Sequence, residues 1–111
     1  MIIWITGNSG SGKTTLAKQM LKPGMIHLDG DIMRNIFPTG FSKIDRWAHN
    51  IRIAKFAAEL EKQGFNIIVS VICPYKQLRD ECEKITNCSF IYLNSDIWLT
   101  WLFQKLLMCF L

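Results

Sequence analysis

The segment from Gly7 to Thr14, GNSGSGKT, most constrains the fold of this chain. It matches the pattern G-x-x-x-x-G-K-[ST] at every required position. The apolar, β-branched run at residues 2–6 precedes it and is typical of a buried strand. A helix-forming run at residues 14–21 follows it. A strand, a glycine-rich loop and a helix in this order predict a phosphate-binding loop.

The residue types in this loop explain how it would hold a polyphosphate. Glycine lets the backbone adopt positive φ angles and approach phosphate oxygens closely. The backbone N–H groups of the loop and the helix dipole attract the anion. Lys13 supplies a mobile charge, and the Thr14 hydroxyl is expected to bind Mg²⁺. We therefore predict that the loop binds a polyphosphate together with Mg²⁺. The alternative, a Gly/Ser-rich turn without a ligand, is disfavoured by the flanking strand and helix.

Two carboxylates follow a second short apolar run, at residues 25–28. Asp29 and Asp31 would lie at the carboxyl end of this strand, where ligands bind in open α/β sheets. They could hold Mg²⁺ through water or accept a proton from a substrate hydroxyl. The alternative is a turn in which Asp31 caps a helix. Arg34, one turn later, favours a site, because a cation beside two acids suits an anionic substrate.

From these residues we predict a small catalytic group and a metal site. The catalytic residues are Lys13, Asp29 and Asp31, and the metal-binding residues are Thr14 and Asp29. His27, inside the second strand, is predicted to be a packed histidine rather than a ligand.

The longest predicted helix spans residues 42–63 and begins with a capping pattern, Ser42-x-x-Asp45. Arg46, His49 and Asn50 share one face of this helix. That face could bind an anion near the active edge, but the local sequence favours a solvated face. The predicted apolar stripe consists of Ile44, Trp47, Ala48, Ile51, Ala54 and Ala58.

The remaining segments continue the alternation of strand and helix. Residues 66–72 predict a central parallel strand, residues 76–84 a helix, residues 89–93 a strand, and residues from about 97 a last helix. This order predicts an α/β fold, a P-loop NTPase-like three-layer α/β/α sandwich with a mainly parallel sheet. We expect one domain over residues 1–111.

Composition limits the partners of the chain. The net charge of +4 suits anionic ligands, but no long run of Lys or Arg indicates nucleic-acid binding. The four cysteines form no C-x-x-C pair, which favours reduced thiols in a cytoplasmic protein. The apolar end, residues 97–111, is shorter than the roughly 20 residues of a spanning helix and contains Lys105, so we expect no membrane span.

Taken together, the motifs resemble the adenylylsulfate kinase family. The specific pieces are D-G-D-x-x-R at residues 29–34 and F-S-x-x-D-R at residues 41–46. They follow the phosphate loop in the order of the family, and the resemblance covers residues 1 to about 93. It implies that the chain transfers a phosphoryl group from ATP to the 3′-hydroxyl of adenylylsulfate, giving 3′-phosphoadenylylsulfate for sulfate assimilation. It also implies that ATP and Mg²⁺ are the cofactors, with ATP held by Gly7, Asn8, Ser9, Gly10, Ser11, Gly12, Lys13, Thr14 and Thr15. Adenylylsulfate is implied to be bound by Asp31, Arg34, Phe41, Arg46, Asn50, Ile72 and Cys73.

The sequence departs from the family at several positions. Asn50 lies one residue further from Arg46 than is usual in the family. The register in which the family's residue roles are assigned to His49, Asn50 and Arg52 therefore stays open by one residue. Cys73 replaces a common serine, which excludes a phosphoserine intermediate and favours direct in-line transfer.

The end of the sequence also differs from the family. The family continues with a basic lid, whereas residues 94–111 predict an atypical apolar helix, as in a C-terminally truncated member. Two alternatives therefore stay open: a non-catalytic or partner-dependent nucleotide-binding remnant, and a P-loop kinase for another small-molecule hydroxyl. Association through apolar surface makes a homodimer an open possibility.

Overall fold

Strands and helices alternate along the chain, and all strands run in the same direction. The computed structural model describes residues 1–8, 10 and 12–93. The elements are β1 (Ile2–Gly7), α1 (Lys13–Met20), β2 (Met25–Asp29), α2 (Gly30–Ile36), α3 (Lys43–Lys62), β3 (Asn66–Ser70), α4 (Lys76–Thr86) and β4 (Ser89–Leu93). The helix predicted from about residue 97 and Cys109 lie outside the described residues.

The sheet has the strand order β2-β3-β1-β4, and every pairing is parallel. Each residue of β1 is buried, as expected for a strand covered on both faces. The register places Ile5 beside Ser70, and Asp29 beside Ser70 on the other side. The carboxyl ends of β1, β2 and β3 therefore meet at one edge of the sheet.

Helices cover both faces of the sheet. On one face, α1 packs on alternate sheet residues, a cluster that comprises Leu16, Ala17, Met20, Ile3, Ile5, Ile68, Ile91 and Leu93. On the other face, α3 and α4 pack against each other and against the intervening sheet residues, together with Met33 of α2. The predicted three-layer α/β/α architecture with a parallel sheet is confirmed.

Strand β3 ends at Ser70, two residues earlier than predicted. The Val71 amide still donates to the carbonyl of Ile5, at 3.2 Å. The Cys73 amide instead donates to the Thr6 hydroxyl, at 2.9 Å. A side chain of β1 thus takes the place of the backbone partner where the chain leaves the sheet.

Helix α3 begins as predicted, because Ser42 is its N-cap and accepts a hydrogen bond from the Asp45 amide at 3.1 Å. Its predicted apolar stripe is wrong at Ile44 and Ala48, but Ala54 lies in the core and Trp47 and Ile51 pack against it. Ile44 is 80% exposed, Ala48 is exposed, and Trp47, Ile51 and Ala58 are only partly buried, whereas the buried residues of the helix are His49, Asn50, Ile53, Ala54 and Ala57. The small side chains on that face let the helix backbone approach the sheet. The prediction of a solvated face is therefore wrong for His49 and Asn50.

Candidate active site

A cleft of about 580 Å³ opens where the phosphate loop and the carboxyl ends of β2 and β3 meet. Many of the predicted site residues line it: Gly10, Gly12, Lys13, Thr14, Thr15, Asp29, Asp31, Arg34, Phe41, Arg46 and Ile72. Gly7 ends β1, while Asn50 and Cys73 are buried behind the cleft. Asn8 is exposed but does not line the cleft, and Ser9 and Ser11 lie outside the described residues.

The phosphate loop turns into α1 through glycines in left-handed conformations. Gly10 has φ 78° and Gly12 has φ 93°, values that residues with a side chain rarely adopt. The Gly12 carbonyl accepts from the Leu16 amide at 2.9 Å, so the helix starts directly at the loop. Lys13 Nζ donates to the Asn8 carbonyl at 2.8 Å. Burial lowers the pKa of Lys13, and the charges of Asp31 and Asp29 oppose that shift.

The carboxylate of Asp29 accepts four hydrogen bonds. Its Oδ1 accepts from Thr14 Oγ1 at 3.0 Å and from Ser70 Oγ at 2.9 Å. Its Oδ2 accepts from the amides of Asp31 at 3.2 Å and Ile32 at 3.4 Å. Asp29 is thus the N-cap of α2, and the alternative that assigned this role to Asp31 is wrong. One carboxylate links β2 with α1, α2 and β3.

These contacts keep Asp29 ionised. Burial raises the pKa of Asp29, but hydrogen bonds from Ser70, Thr14 and the Ile32 amide outweigh burial, and the net pKa is lowered. Asp31 has a different environment, because its side chain is exposed in the first turn of α2 and lines the cleft. Among the described residues, none donates a hydrogen bond to the Asp31 carboxylate.

Opposite the phosphate loop, the cleft wall combines cations with an aromatic ring. Arg34 donates to the carbonyl of Gly40 at 2.7 Å and lies 4.3 Å from the ring centroid of Phe41. The ring of Phe41 is 69% exposed. Arg46 lines the same wall from the first turn of α3. The wall thus offers positive charge and an aromatic face.

The buried Asn50 and the half-buried Arg79 hold the loop that follows β3. Asn50 Nδ2 donates to the carbonyls of Arg46 at 2.9 Å and Ile72 at 3.2 Å. Arg79 donates to the Cys73 carbonyl at 2.9 Å. The structure therefore places Asn50 and Cys73 where they shape the cleft wall through the backbone rather than line it.

Three lining residues, Gly30, Ser70 and Val71, were absent from the prediction. A Cβ atom on Gly30 would lie 2.6 Å from Val71 Cγ2, so any larger residue here would force the Val71 side chain to shift. Ser70 supplies a hydroxyl to Asp29 and contacts His27, with 2.6 Å between Oγ and Nε2. A serine within an apolar strand and a glycine between two aspartates were the available signals.

His49 lies behind the cleft and was also not assigned a role. It is 1% exposed, and neither ring nitrogen has a hydrogen-bond partner in the described part of the chain. Burial lowers the pKa of His49, and the charge of Arg34 lowers it further. The Gly30 carbonyl acts in the opposite direction without forming a hydrogen bond to the ring.

Searches for two other kinds of site gave no candidate within the described ranges. No helix there is long and apolar enough to cross a membrane. No group of three or more His, Cys, Asp or Glu side chains in the described part could hold a metal ion.

Comparison with known proteins places the chain in a family. Residues 1–102 match the family model for adenylylsulphate kinase. The chain is 42% identical over 91 residues to a probable adenylyl-sulfate kinase of Archaeoglobus fulgidus, which covers 75% of this chain and 59% of that protein. It is 43% identical over 103 residues to an adenylyl-sulfate kinase of a Synechococcus species. This second match covers 85% of this chain and 58% of that protein. The chain thus spans less than two thirds of the length of these relatives.

Solved structures agree with this placement. The APS kinase CysC of Mycobacterium tuberculosis, solved in complex with AMPPNP and APS, superposes with a TM-score of 0.74 at 28% identity. The match covers 82% of this chain and 59% of the mycobacterial one. The family model, the relatives and the shared fold lead to one conclusion: the chain belongs to the adenylylsulphate kinase family.

Proposed function

We propose that the cleft binds ATP at the phosphate loop and adenylylsulfate at the opposite wall. The reaction is transfer of the γ-phosphoryl group to the 3′-hydroxyl, which gives ADP and 3′-phosphoadenylylsulfate. One observation carries the proposal: a single cleft brings Lys13 and Thr14 together with Arg34, Phe41 and Arg46. Phosphoryl transfer needs positioning and charge neutralisation more than covalent chemistry, and these residues supply both.

The nucleotide side of the cleft suits a Mg²⁺–ATP complex. Thr14 donates its hydroxyl hydrogen to Asp29, which leaves the oxygen lone pairs free for a cation. Mg²⁺ usually keeps several waters and takes few protein ligands beside the phosphates, so one hydroxyl and a nearby carboxylate fit it. When bound, the ion would neutralise charge on the phosphates. Asp29 already accepts four hydrogen bonds, so we assign it to orienting the Thr14 hydroxyl and not to direct contact with the ion.

The two aspartates have different roles in this proposal. The lone pairs of Asp29 are committed to Thr14, Ser70 and two amides, so this carboxylate orients the Thr14 hydroxyl. Asp31 is exposed in the cleft, and its charge acts on Lys13. We therefore assign Asp31 the role of accepting the proton of the substrate 3′-hydroxyl.

The opposite wall suits a nucleotide that carries a sulfate. Arg34 and Arg46 offer positive charge to the phosphosulfate group. The exposed ring of Phe41, with Arg34 beneath it, offers a stacking face for the adenine. A sugar or a sugar acid has no aromatic base to use this face. Asn50 and Cys73 support the wall behind the substrate.

A coupled ADP-release assay tests the proposal. We expect ADP release from Mg–ATP to depend on adenylylsulfate and to fall roughly 100-fold or more in Lys13→Ala. The matched control is Lys55→Ala, which removes an exposed lysine of α3 outside the cleft and should leave the rate unchanged.

Two results would contradict the proposal. Retained ATP binding without turnover would support the non-catalytic alternative. Turnover of another hydroxyl compound, with none of adenylylsulfate, would support a kinase of different specificity.

A further inference from the structure

A chain of hydrogen-bonding groups runs from the carboxylate of Asp29 through Ser70, which also lines the cleft, to His27, which does not. His27 Nε2 lies 2.6 Å from Ser70 Oγ. Ser70 Oγ donates to Asp29 Oδ1 at 2.9 Å, and Thr14 Oγ1 donates to the same oxygen at 3.0 Å. Two side chains, Ser70 of β3 and Thr14 of α1, thus donate to the same oxygen of Asp29, and His27 of β2 is connected to it through Ser70.

The strand register explains why these side chains meet. Asp29 and Ser70 are direct partners on the parallel strands β2 and β3. His27 lies two residues before Asp29, so both side chains point to the same face of the sheet. That face is covered by α1, because Ile68 and Met25 pack there with the helix. The helix places Thr14 over the end of β2.

The direction of the hydrogen bonds follows from the number of hydrogens. Ser70 has one hydroxyl hydrogen and donates it to Asp29. His27 must therefore present its Nε2 hydrogen to Ser70 Oγ. The reverse arrangement would place an oxygen lone pair of Ser70 against Asp29 Oδ1 at 2.9 Å, which repels. All donors in the chain thus point toward the carboxylate.

Burial makes this arrangement hard to replace with water. Ser70 is 2% exposed and Asp29 is 7% exposed. Without the Ser70 hydroxyl, Oδ1 would keep a single side-chain donor, Thr14, and the carboxylate could rotate about its fixed pair of α2 amides. Rotation would redirect the Thr14 hydroxyl, since that group follows its acceptor.

We infer that Ser70 and His27 are positioning residues that act through Asp29 on the Thr14 hydroxyl, and so set how strongly Mg²⁺ increases nucleotide affinity. This inference rests on the proposed nucleotide site, but it requires neither turnover nor a particular acceptor. Partners in this position usually change metal affinity or activity by about 10- to 100-fold when they are removed. A purely structural pair would change stability and leave the effect of Mg²⁺ unaltered.

The test measures the affinity for a non-hydrolysable ATP analogue with excess Mg²⁺ and with EDTA. In Ser70→Ala we expect the gain in affinity from Mg²⁺ to fall about tenfold, with the affinity in EDTA retained. His27→Leu should reduce the gain in the same direction. His27→Gln should retain it, because the glutamine amide can donate to Ser70.

A double substitution sharpens the test. Because His27 acts through Ser70, adding His27→Leu to Ser70→Ala should cause no further loss, a clear departure from additivity. The control is Met25→Leu, a change of similar volume on the same face of β2 that removes no side-chain hydrogen bond. It should leave the gain from Mg²⁺ unchanged.

Three results would overturn the inference: a wild type whose affinity does not respond to Mg²⁺, an unaltered gain in Ser70→Ala, or an equal loss with Mg²⁺ and with EDTA. If Ser70→Ala does not fold, the contrast between His27→Leu and His27→Gln decides. A wild type that binds nucleotide with Mg²⁺ but transfers no phosphoryl group would contradict the proposed function and leave this test intact.

Discussion

Replacing Asp29 with asparagine changes the carboxylate that joins β2 to its neighbours while it preserves side-chain volume. The two amides that Asp29 caps can only donate, so the asparagine oxygen must face them. The asparagine NH₂ then faces the hydroxyls of Thr14 and Ser70, which can reverse and accept. The helix cap survives, because asparagine is a good N-cap residue. All four hydrogen bonds become neutral, but the two cap bonds lose little stability because asparagine and aspartate are about equal as N-caps, so the cost comes from the two bonds with the hydroxyls.

The cost follows from that exchange. A hydrogen bond to a charged group contributes about 1.5–3 kcal/mol and a neutral one about 0.5–1.5 kcal/mol, so each exchange costs about 1 kcal/mol. With two such bonds, we expect the free energy of unfolding of Asp29→Asn to fall by about 2 kcal/mol at pH 7. Urea unfolding of both proteins measures this difference in the free energy of unfolding. The control, Asp31→Asn, changes an exposed carboxylate and should stay within about 0.5 kcal/mol of wild type.

The pH dependence has a definite sign. Burial raises the pKa of Asp29, hydrogen bonds from Ser70 and Thr14 lower it, and the net pKa lies below the usual value. The ionised carboxylate therefore contributes stability that is present above the unfolded-state pKa of about 4 and is lost as the pH falls through the folded-state pKa. The difference between wild type and Asp29→Asn should narrow below about pH 4. No difference at pH 7, or an equal difference at both pH values, would refute the reasoning.

Three further predictions test the site and the core. Asp31→Asn should lower kcat by about 10²-fold or more and keep nucleotide affinity within about threefold, in steady-state and binding assays; an unaltered kcat would exclude Asp31 as the proton acceptor. Gly30→Ala should cost about 1–3 kcal/mol in urea unfolding, because the new Cβ would lie 2.6 Å from Val71 Cγ2; a neutral effect would contradict the close approach. Ile53→Ala should cost about 2–5 kcal/mol and Ile44→Ala less than about 0.5 kcal/mol, and equal costs would contradict the orientation of α3.

Local patterns were enough to predict most of the fold. The glycine positions of the phosphate loop, the apolar run of β1 and the Ser42 cap are short-range signals, and each lies where it was expected. The orientation of α3 about its axis could not be predicted from a local pattern, because apolar residues occur on more than one side of this helix. Long-range packing buried the side with Ala54 and Ala57, where small side chains allow close approach to the sheet. Ile44 stayed exposed as a result.

Several expectations stay predictions. The structure describes residues only to Leu93, so the single domain over residues 1–111 and the apolar helix after residue 94 are untested. The homodimer and the cytoplasmic location are also untested. The assignment of adenylylsulfate as substrate depends on the assays described above.

The sequence by itself determined the phosphate loop, the alternation of strand and helix, and the pair Asp29 and Asp31 at one edge of the sheet. These features follow from spacing within a few residues. Only the tertiary structure decided how the two aspartates differ. Ser70, whose hydroxyl donates a hydrogen bond to Asp29, lies 41 residues away along the chain. The pairing of β2 with β3 brings the two residues together. No local pattern encodes a contact whose partners are set by strand register. The buried, hydrogen-bonded Asp29 and the exposed Asp31 could therefore be told apart only in the folded chain.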